Sequence, residues 1–205
     1  MVAAFYPWTT GHGRHADPVD VAPSENRRGD PMARIGLRTA AVAVAAGFVF
    51  GLAAPQAATA REQVAFRDAG YEAGTIVVKT RERRLYLVLG DGTALRYPVG
   101  VGKAGKQWTG ISRITGKYVK PDWAPPAEVK RDKPSLPDVI RGGTPQNPMG
   151  AAAMTLSGGE YAIHGTNVPR SIGGYVSYGC IRMFNEDITD LYSRVGVGTT
   201  VVVTR

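Results

Sequence analysis

The sequence predicts a mostly β domain with one or two short helices. Short runs of β-branched residues are bounded by glycine-containing turns, which is typical of strands. Only the stretch that begins at Asn185 carries apolar residues at clear helical spacing. Together these two observations predict strands, mostly antiparallel, packed around a single core.

The first predicted elements form a β-meander. Residues 61–74 are predicted as a short linker, and glycines mark its end. Residues 75–79 form the first strand and residues 85–89 the second, because both runs are apolar and rich in strand-forming types. Residues 90–92 read Gly-Asp-Gly, which favours a tight turn, and residues 93–101 continue as the third strand.

Residues 102–148 differ in character, because they contain many prolines, several lysines, Trp108 and Trp123. A long irregular stretch inside a compact domain is usually functional. We therefore expect a long lid-like loop here. The alternative is a plain surface excursion whose tryptophans pack against the sheet.

Regular structure returns in the last third of the chain. Residues 161–164 are predicted as a strand that ends where His164 enters a loop. Asn185 is predicted as a helix N-cap, because two acidic residues follow it in the first turn. Residues 199–203 form a closing strand. Between them, four apolar residues follow helical spacing before two glycines end the helix: Ile188, Leu191, Tyr192 and Val195.

An export signal precedes the predicted domain. Two arginines follow Met32, an apolar stretch comes next, and a small-x-small motif ends at Ala60. We predict a signal peptide over residues 32–60, cleaved after Ala60 so that the chain then begins at Arg61; retention as an N-terminal anchor is the alternative. Residues 1–31 do not fit a signal and are predicted to be a mis-called or disordered extension.

Composition narrows the classes of function. The chain has a formal net charge of +8 and one cysteine. One cysteine cannot form an internal disulfide, so the core has to provide the stability. A solvated basic surface is the simplest interpretation of the charge, and an anionic cell-wall polymer or a membrane surface is the alternative partner. Nucleic acid is not expected as a partner of an exported protein.

Cys180 and His164 are the candidate catalytic pair. Cys180 is the only cysteine, and His164 is the only histidine after the predicted signal. A neutral thiol is a weak nucleophile, and a nearby imidazole can take its proton. A buried, inert cysteine is the alternative. A metal site is not expected, because one cysteine and one histidine fall short of the three or four ligands that zinc takes.

Neighbouring residues offer polar groups for an acyl substrate. The backbone amides of Gly179 and Cys180 are placed to meet a developing oxyanion. Arg182 carries a guanidinium fork suited to a carboxylate, with a salt bridge inside the loop as the alternative. His164 needs an orienting partner, and both a backbone carbonyl next to Gly165 and a distant carboxylate remain open.

Two segments resemble the catalytic signature of the YkuD-type L,D-transpeptidases. Residues 164–167 are His-Gly-Thr-Asn, and residues 177–183 are Ser-Tyr-Gly-Cys-Ile-Arg-Met. The likeness covers most of residues 75–205, which we therefore predict to be the catalytic domain. It departs from the family at Tyr178, where many relatives carry histidine, although a backbone amide is retained at that position.

The resemblance implies an exported enzyme with a β-sandwich-like catalytic fold, located in the periplasm or cell envelope and needing no cofactor. In this family the cysteine attacks a peptidoglycan stem tetrapeptide, the terminal D-alanine leaves, and a thioester forms. A diaminopimelate amine of a neighbouring stem then resolves the thioester, which gives a 3→3 cross-link. Some members instead link a protein to peptidoglycan, so an outer-membrane protein is the alternative acceptor. Carbapenems acylate the cysteine in many members.

Carried over to this chain, the resemblance implies Cys180 as nucleophile and His164 as proton donor and acceptor. The carbonyl of Gly165 would orient His164, and the amides of Tyr178, Gly179 and Cys180 would form the oxyanion hole. An L,D-carboxypeptidase at the same site and a non-catalytic cell-wall-binding module are the alternative functions. Substrate contacts are expected from four side chains: Arg182, Ser177, Asn185 and Trp108.

Overall fold

The computed structural model describes residues 61–68 and 70–205. The predicted signal peptide and the extension before it lie outside the described residues. The helices in this part of the chain are α1 (Ala127–Asp132) and α2 (Asn185–Arg194). Its strands are β1 (Glu62–Ala65), β2 (Ile76–Lys79), β3 (Arg84–Val88), β4 (Thr93–Pro98), β5 (Val101–Gly102), β6 (Gly110–Val119), β7 (Ala152–Leu156), β8 (Ala162–His164), β9 (Tyr175–Ser177), β10 (Ile181–Arg182) and β11 (Thr200–Thr204).

The prediction of a mostly β fold with short helices is confirmed. Within the described residues, one sheet runs in the order β1-β4-β3-β2-β11-β6-β7-β8-β10, and β5 pairs separately with β9. Most neighbouring strands are antiparallel. The parallel pairs are β2 with β11, β8 with β10, and β5 with β9.

Strand β6 divides the large sheet into two halves. Its first residues pair with β11, and its later residues pair with β7. The register shifts between Ile114 and Gly116, and a bulge of this kind bends a strand and increases its twist. Strand β6 therefore belongs to both halves, which share one hydrophobic core.

That core is built from the first half of the sheet (β2, β3, β4 and β11), the second half (β7, β8 and β10) and helix α2. Removing each large apolar side chain from water contributes about 1.5 to 3 kcal/mol, so the core can hold the fold without a cross-link. Its fully buried members include Ile76, Leu85, Tyr97, Met154, Ile163, Ile181 and Leu191.

The linker prediction for residues 61–74 is corrected by the structure. This segment supplies the edge strand β1, which pairs with β4. Phe66 then packs on Tyr86 with ring centroids 5.1 Å apart, and Tyr71 joins the same cluster. The segment thus covers the outer face of the first half of the sheet. Its strand was missed because three of the four residues of β1 are exposed, which leaves no apolar alternation.

The predicted third strand is shorter than expected. Strand β4 ends at Pro98, and the chain then turns to meet β10, where Gly100 and Arg182 exchange backbone hydrogen bonds of 2.9 and 2.8 Å. A Cβ atom on Gly100 would lie 2.8 Å from the carbonyl oxygen of Ser171, so this close approach requires glycine. Residues 101–102 form β5 instead of extending β4.

The expectation of a long irregular stretch over residues 102–148 is also partly wrong, because β6 and α1 lie within it. The part that follows β6, residues 120–148, is hereafter called the excursion. Buried Asn147 closes its base, since the side-chain amide donates to the carbonyls of Pro121 and Ile140, both at 2.9 Å. The excursion is therefore a structured wall rather than an open loop.

The helix predicted near residue 185 is present as α2, but its N-cap is Phe184 and not Asn185. Asn185 is the first helical residue, and no side chain caps the helix. Ile188 and Leu191 are fully buried against the core, as the helical spacing predicts. Among the described residues, no helix combines the length and apolar character needed to cross a membrane.

Candidate active site

Parallel pairing of β8 and β10 brings the two conspicuous sequence segments side by side. Ile163 lies opposite Ile181, and His164 lies opposite Arg182. Side chains alternate between the two faces of a sheet, and both isoleucines point into the core. His164, Arg182 and, one position before β10, Cys180 therefore share the opposite face.

This polar face opens into a cavity of about 600 Å³. The excursion provides much of the opposite wall, and the loop that carries Tyr178 provides another part. Within residues 61–68 and 70–205, no group of three or more His, Cys, Asp or Glu side chains is arranged to hold a metal ion. The lining includes His164, Cys180 and Arg182 on one side and Trp123, Val129 and Met149 on the other.

His164 is buried, and its Nδ1 lies 2.7 Å from the carbonyl oxygen of Gly165. A carbonyl can only accept, so Nδ1 carries the proton and Nε2 is left as the basic nitrogen. Burial and the charge of Arg182 lower the pKa of His164 to about 4, against the opposing effect of the Gly165 and Pro148 carbonyls. The imidazole is therefore neutral at pH 7.

Cys180 is partly exposed within the cavity. Burial raises the pKa of its thiol, and a backbone hydrogen bond with Ala162 and the charge of Arg182 act in the opposite direction. Glu160 adds a smaller upward contribution to the same pKa. The resting site thus holds a neutral thiol and a neutral imidazole, so a proton has to move during nucleophilic attack.

Ser177 shapes the loop that carries the thiol. Its Oγ donates to the carbonyl oxygen of Cys180 at 2.6 Å and accepts from the amide of Gly179 at 3.1 Å. The hydroxyl of Ser177 is used within the loop, and the expected substrate contact by Ser177 stays a prediction. The amide of Gly179 is also engaged, which leaves those of Tyr178 and Cys180 as candidate oxyanion donors.

Trp108 supports this loop from another side. Its Nε1 donates to the carbonyl oxygen of Gly179 at 2.9 Å, and its ring stacks on Tyr161 with centroids 5.0 Å apart. Gly179 has φ +124°, and a Cβ atom there would lie 2.2 Å from the Tyr161 ring. The structure thus gives Trp108 a supporting position, and its expected substrate contact stays a prediction. Tyr161, which the sequence reasoning did not single out as a site residue, completes this packing.

Asn185 connects the turn before β7 to the loop after His164. Its Oδ1 accepts from the amides of Ala151 at 3.0 Å and Thr166 at 3.1 Å, and its Nδ2 donates to the carbonyl of Thr166 at 3.0 Å. A Cβ atom on Gly150 or Gly165 would lie 2.2 or 2.3 Å from that Oδ1. Both ends of the amide bind backbone, which explains why Asn185 does not cap α2; its expected substrate contact stays a prediction.

Arg182 is half-buried and lines the cavity. Its Nε has no hydrogen-bond partner within the described residues, and no salt bridge of Arg182 is found there. Burial lowers the pKa of the guanidinium, although its ordinary value is so high that it stays charged. Arg182 thus places a positive charge in the cavity and can receive an anionic group.

A further contact of the nucleophile loop was not predicted. The hydroxyl of Tyr178 donates to Asp132 Oδ2 at 2.6 Å, and Lys103 Nζ lies 3.8 Å from the centroid of the Tyr178 ring. Asp132 is the last residue of α1, and Glu128 of that helix forms an ion pair with Lys106. These contacts tie α1 to the loop that carries Cys180. Sequence offers no signal for them, because Tyr178 and Asp132 are 46 positions apart.

Known proteins that resemble this chain are L,D-transpeptidases. The family described as L,D-transpeptidase catalytic domain (YkuD) matches residues 73–203. The probable L,D-transpeptidase YbiS of Escherichia coli (strain K12) is 41% identical over 135 residues, which cover 62% of this chain and 43% of YbiS. The putative L,D-transpeptidase YqjB of Bacillus subtilis (strain 168) is 33% identical over 135 residues, covering 63% of this chain and 70% of YqjB. The chain thus spans less than half of the length of YbiS.

Solved structures share the fold at lower sequence identity. An L,D-transpeptidase from Mycobacterium smegmatis superposes with a TM-score of 0.53 and 17% identity, covering 65% of this chain and 59% of that chain. A cysteine-to-serine mutant of an Enterococcus faecium L,D-transpeptidase gives a TM-score of 0.52 at 17% identity, covering 65% and 50%. At such identities the likeness supports the architecture alone.

Proposed function

Because the chain belongs to the YkuD family of L,D-transpeptidase catalytic domains, we propose that it is a cysteine-dependent transpeptidase that forms 3→3 cross-links between peptidoglycan stem peptides. The observation that carries the proposal is the arrangement of His164 and Cys180 on one face of β8 and β10, with Nδ1 of His164 held by the Gly165 carbonyl. This arrangement leaves the basic nitrogen of an oriented, neutral imidazole for the thiol proton.

The first half-reaction acylates the enzyme. The sulfur of Cys180 attacks the carbonyl carbon of the third stem residue while the thiol proton passes to Nε2 of His164. The amides of Tyr178 and Cys180 stabilise the oxyanion, and a donor of this kind is typically worth about 3 to 4 kcal/mol. The bond to the terminal D-alanine then breaks, its amine takes the proton from His164, and a thioester remains.

The second half-reaction transfers the acyl group. A diaminopimelate amine of a neighbouring stem attacks the thioester carbonyl and gives a proton to His164, which returns it to the departing Cys180 sulfur. An exported enzyme works without ATP, so the new amide draws on the energy that the thioester retains from the old one. The excursion, tied to the nucleophile loop through Tyr178, supports exclusion of water from the intermediate.

Arg182 is proposed to recognise a carboxylate of the donor stem. The support is its charge in the cavity and the unpartnered Nε described above. Stem peptides are rich in carboxylates, and a guanidinium fork binds this group bidentately. The formal net charge of the full chain, +8, also suits binding to an anionic polymer.

We also propose a location in the periplasm or cell envelope after cleavage of residues 32–60. The support comes from the sequence, where an apolar stretch follows two arginines and ends in a small-x-small motif. An outer-membrane protein is the alternative acceptor, and carbapenems are proposed to acylate Cys180. The protein acceptor and the acylation by carbapenems are both proposed for this chain because it resembles the family.

The test is to incubate the purified protein with a disaccharide-tetrapeptide and to separate the products by mass, with Cys180→Ala as the matched control. The proposal predicts a cross-linked dimer that has lost one D-alanine, formed only by the parent. Tripeptide alone would show an L,D-carboxypeptidase. No product and no adduct on Cys180 would contradict both activities and favour an inert wall-binding module.

A further inference from the structure

The structure contains a buried carboxylate outside the candidate active site. Asp187 lies in the first turn of α2 and is only 1% exposed, and its Oδ2 has no hydrogen-bond partner within the described residues. Burial raises the pKa of Asp187 to about 6, and the negative charges of Glu186 and Asp190 act in the same direction. A buried polar group that lacks a partner destabilises a fold, so this carboxylate calls for a cation or a donor.

Arg61 provides the backbone group that faces Asp187. The N–H of Arg61 forms a backbone hydrogen bond that lowers the pKa of Asp187, although burial outweighs it. The guanidinium of Arg61 forms an ion pair with Asp190 at 2.6 Å, and Asp190 also accepts a hydrogen bond of 2.7 Å from Tyr97. The side chain therefore anchors Arg61 to α2 while its backbone nitrogen is directed at Asp187.

The position of Arg61 in the sequence gives this contact a meaning. Ala60 ends the small-x-small motif, so signal cleavage there makes Arg61 the first residue. We propose that Asp187 is the binding site for the new N-terminus, whose α-ammonium group forms a buried ion pair with this carboxylate. Hydrolysis of the Ala60–Arg61 bond by an endopeptidase adds the water oxygen to the Ala60 carbonyl, which becomes a carboxylate, and passes both water protons to the Arg61 nitrogen, which becomes an ammonium group where it stands.

The proposed ion pair lies close to the catalytic machinery. Asp187 is two residues after Asn185, whose side chain holds the loop next to His164. The amide of Met183, just before α2, also donates to the carbonyl of His164 at 2.8 Å. Processing would therefore stabilise the helix turn that positions the active site, and this stabilisation would exist only in the exported form. The inference rests on the proposed cleavage after Ala60, not on the proposed reaction.

The competing explanation is that Asp187 needs no further partner, because the N-terminal end of α2 already favours a negative charge. In that case a free amine at Arg61 adds nothing. The two explanations predict different changes in Tm when the Ala60–Arg61 bond is cut, and different changes in the pKa of the Asp187 carboxylate.

The experiment uses the full chain in detergent, with residues 57–60 replaced by a protease recognition sequence whose cut leaves Arg61 as the first residue. The matched control carries one glycine inserted before Arg61, which displaces the amine by about 3.8 Å. Thermal unfolding is measured at pH 7 before and after cutting. We expect Tm to rise by about 4 °C or more for the Arg61 terminus and by less than about 1 °C for the control.

Asp187→Asn is the second control, and it should remove the rise in Tm. The proposal would be overturned by equal rises in Tm in the parent, the glycine-insertion control and Asp187→Asn, or by no rise in the parent. If Asp187→Asn fails to fold, the carboxyl carbon of Asp187 is titrated by NMR in the parent chain. Its pKa should fall below the ordinary value on cutting, and an unchanged pKa would overturn the proposal.

The N-terminal sequence of the protein after export is a further requirement, since a terminus other than Arg61 would contradict the inference. None of these measurements involves peptidoglycan. A protein that cross-links stems but shows no change at Asp187 would overturn this inference alone. A protein that gains stability on cutting but forms no product would overturn the proposed function alone.

Discussion

The two halves of the sheet share a core but differ in what covers their outer faces. In the first half, Phe66 and Tyr71 cover the outer face, and the strand residues beneath them, such as Val77, are apolar. In the second half, the outer face of β8 and β10 opens into the cavity, and its residues are polar or reactive. The closed face contributes stability, whereas the open face places buried His164 and partly exposed Cys180 beside the cavity.

This difference explains the electrostatics of the site. Burial beside the cavity lowers the pKa of His164 and raises the pKa of Cys180. Side chains alternate along each strand, so Ile163 and Ile181 face the core and stabilise the fold, while their neighbours His164, Cys180 and Arg182 face the cavity. Substitutions on the two faces should therefore change different quantities.

The largest effect should come from Cys180→Ser on the open face. Turnover of the disaccharide-tetrapeptide should fall by at least about 10³-fold, because a hydroxyl does not replace the thiol as nucleophile. The free energy of unfolding should change by less than about 1 kcal/mol. Retained turnover in the purified variant would exclude covalent catalysis by this residue.

His164→Ala should reduce turnover by about 10²- to 10⁴-fold, because the attacking thiol loses its general base. Alkylation of Cys180 near neutral pH should also slow down. The two rates are measured on the same preparation, with circular dichroism to verify the fold. An alkylation rate equal to that of the parent would remove His164 as the activating base.

On the core face of the same strand, Ile163→Ala should destabilise the protein by about 2 to 5 kcal/mol, because it leaves a cavity in the shared core. The matched control is Ile111→Ala in β6, where the side chain is 75% exposed and the expected change is within about 0.5 kcal/mol. Denaturant unfolding gives both values. Equal effects in the two variants would contradict the assignment of the core face.

The pH dependence of alkylation tests the role of His164 as the base. Burial raises the thiol pKa, so the resting thiol is neutral, and because His164 takes its proton during attack the parent rate should change by less than about twofold from pH 6 to pH 8. His164, with a pKa of about 4, is already neutral throughout this range and adds no step. In His164→Ala only the thiolate reacts, so its rate should rise about tenfold per pH unit, and the same rise in the parent would contradict general-base assistance by His164.

The smallest effect should come from Tyr178→Phe, which removes the hydrogen bond to Asp132 that connects the excursion to the nucleophile loop. Losing one partly exposed hydrogen bond of about 1 kcal/mol predicts a roughly fivefold rise in KM with little change in kcat. Tyr175→Phe is the matched control, because its hydroxyl binds Arg83, away from the cavity. The same rise in KM for both variants would show that the contact with α1 is irrelevant.

The comparison of the two halves also explains which elements the sequence predicts. Strands β2, β3 and β11 are β-branched or aliphatic runs in the interior, so local composition is enough to identify them. Strand β7, with the sequence Ala-Ala-Met-Thr-Leu, lacks that signal although most of it is buried. The bulge in β6 breaks its alternation between Ile114 and Gly116, so one periodic pattern does not describe the whole strand.

The same reasoning applies to the site. His164 and Cys180 are recognisable because each stands in a short local motif, and neighbouring strands bring the motifs together. The supporting contacts of Trp108 and Asn185 have no such local motif, because Trp108 binds a backbone carbonyl 71 positions away and Asn185 binds a backbone amide 34 positions away. Such long-range contacts depend on the packing of several elements, which residue types alone do not encode.

The most direct test of the account is to trap the acyl-enzyme. The protein is incubated with a disaccharide-tetrapeptide whose diaminopimelate amine is acetylated, so that no amine acceptor is present, and the mixture is quenched in acid for intact mass and peptide mapping. The proposed mechanism predicts a disaccharide-tripeptide thioester on Cys180, release of D-alanine, and no adduct in Cys180→Ser. Absence of both the adduct and free D-alanine, or an adduct on another residue, would contradict it.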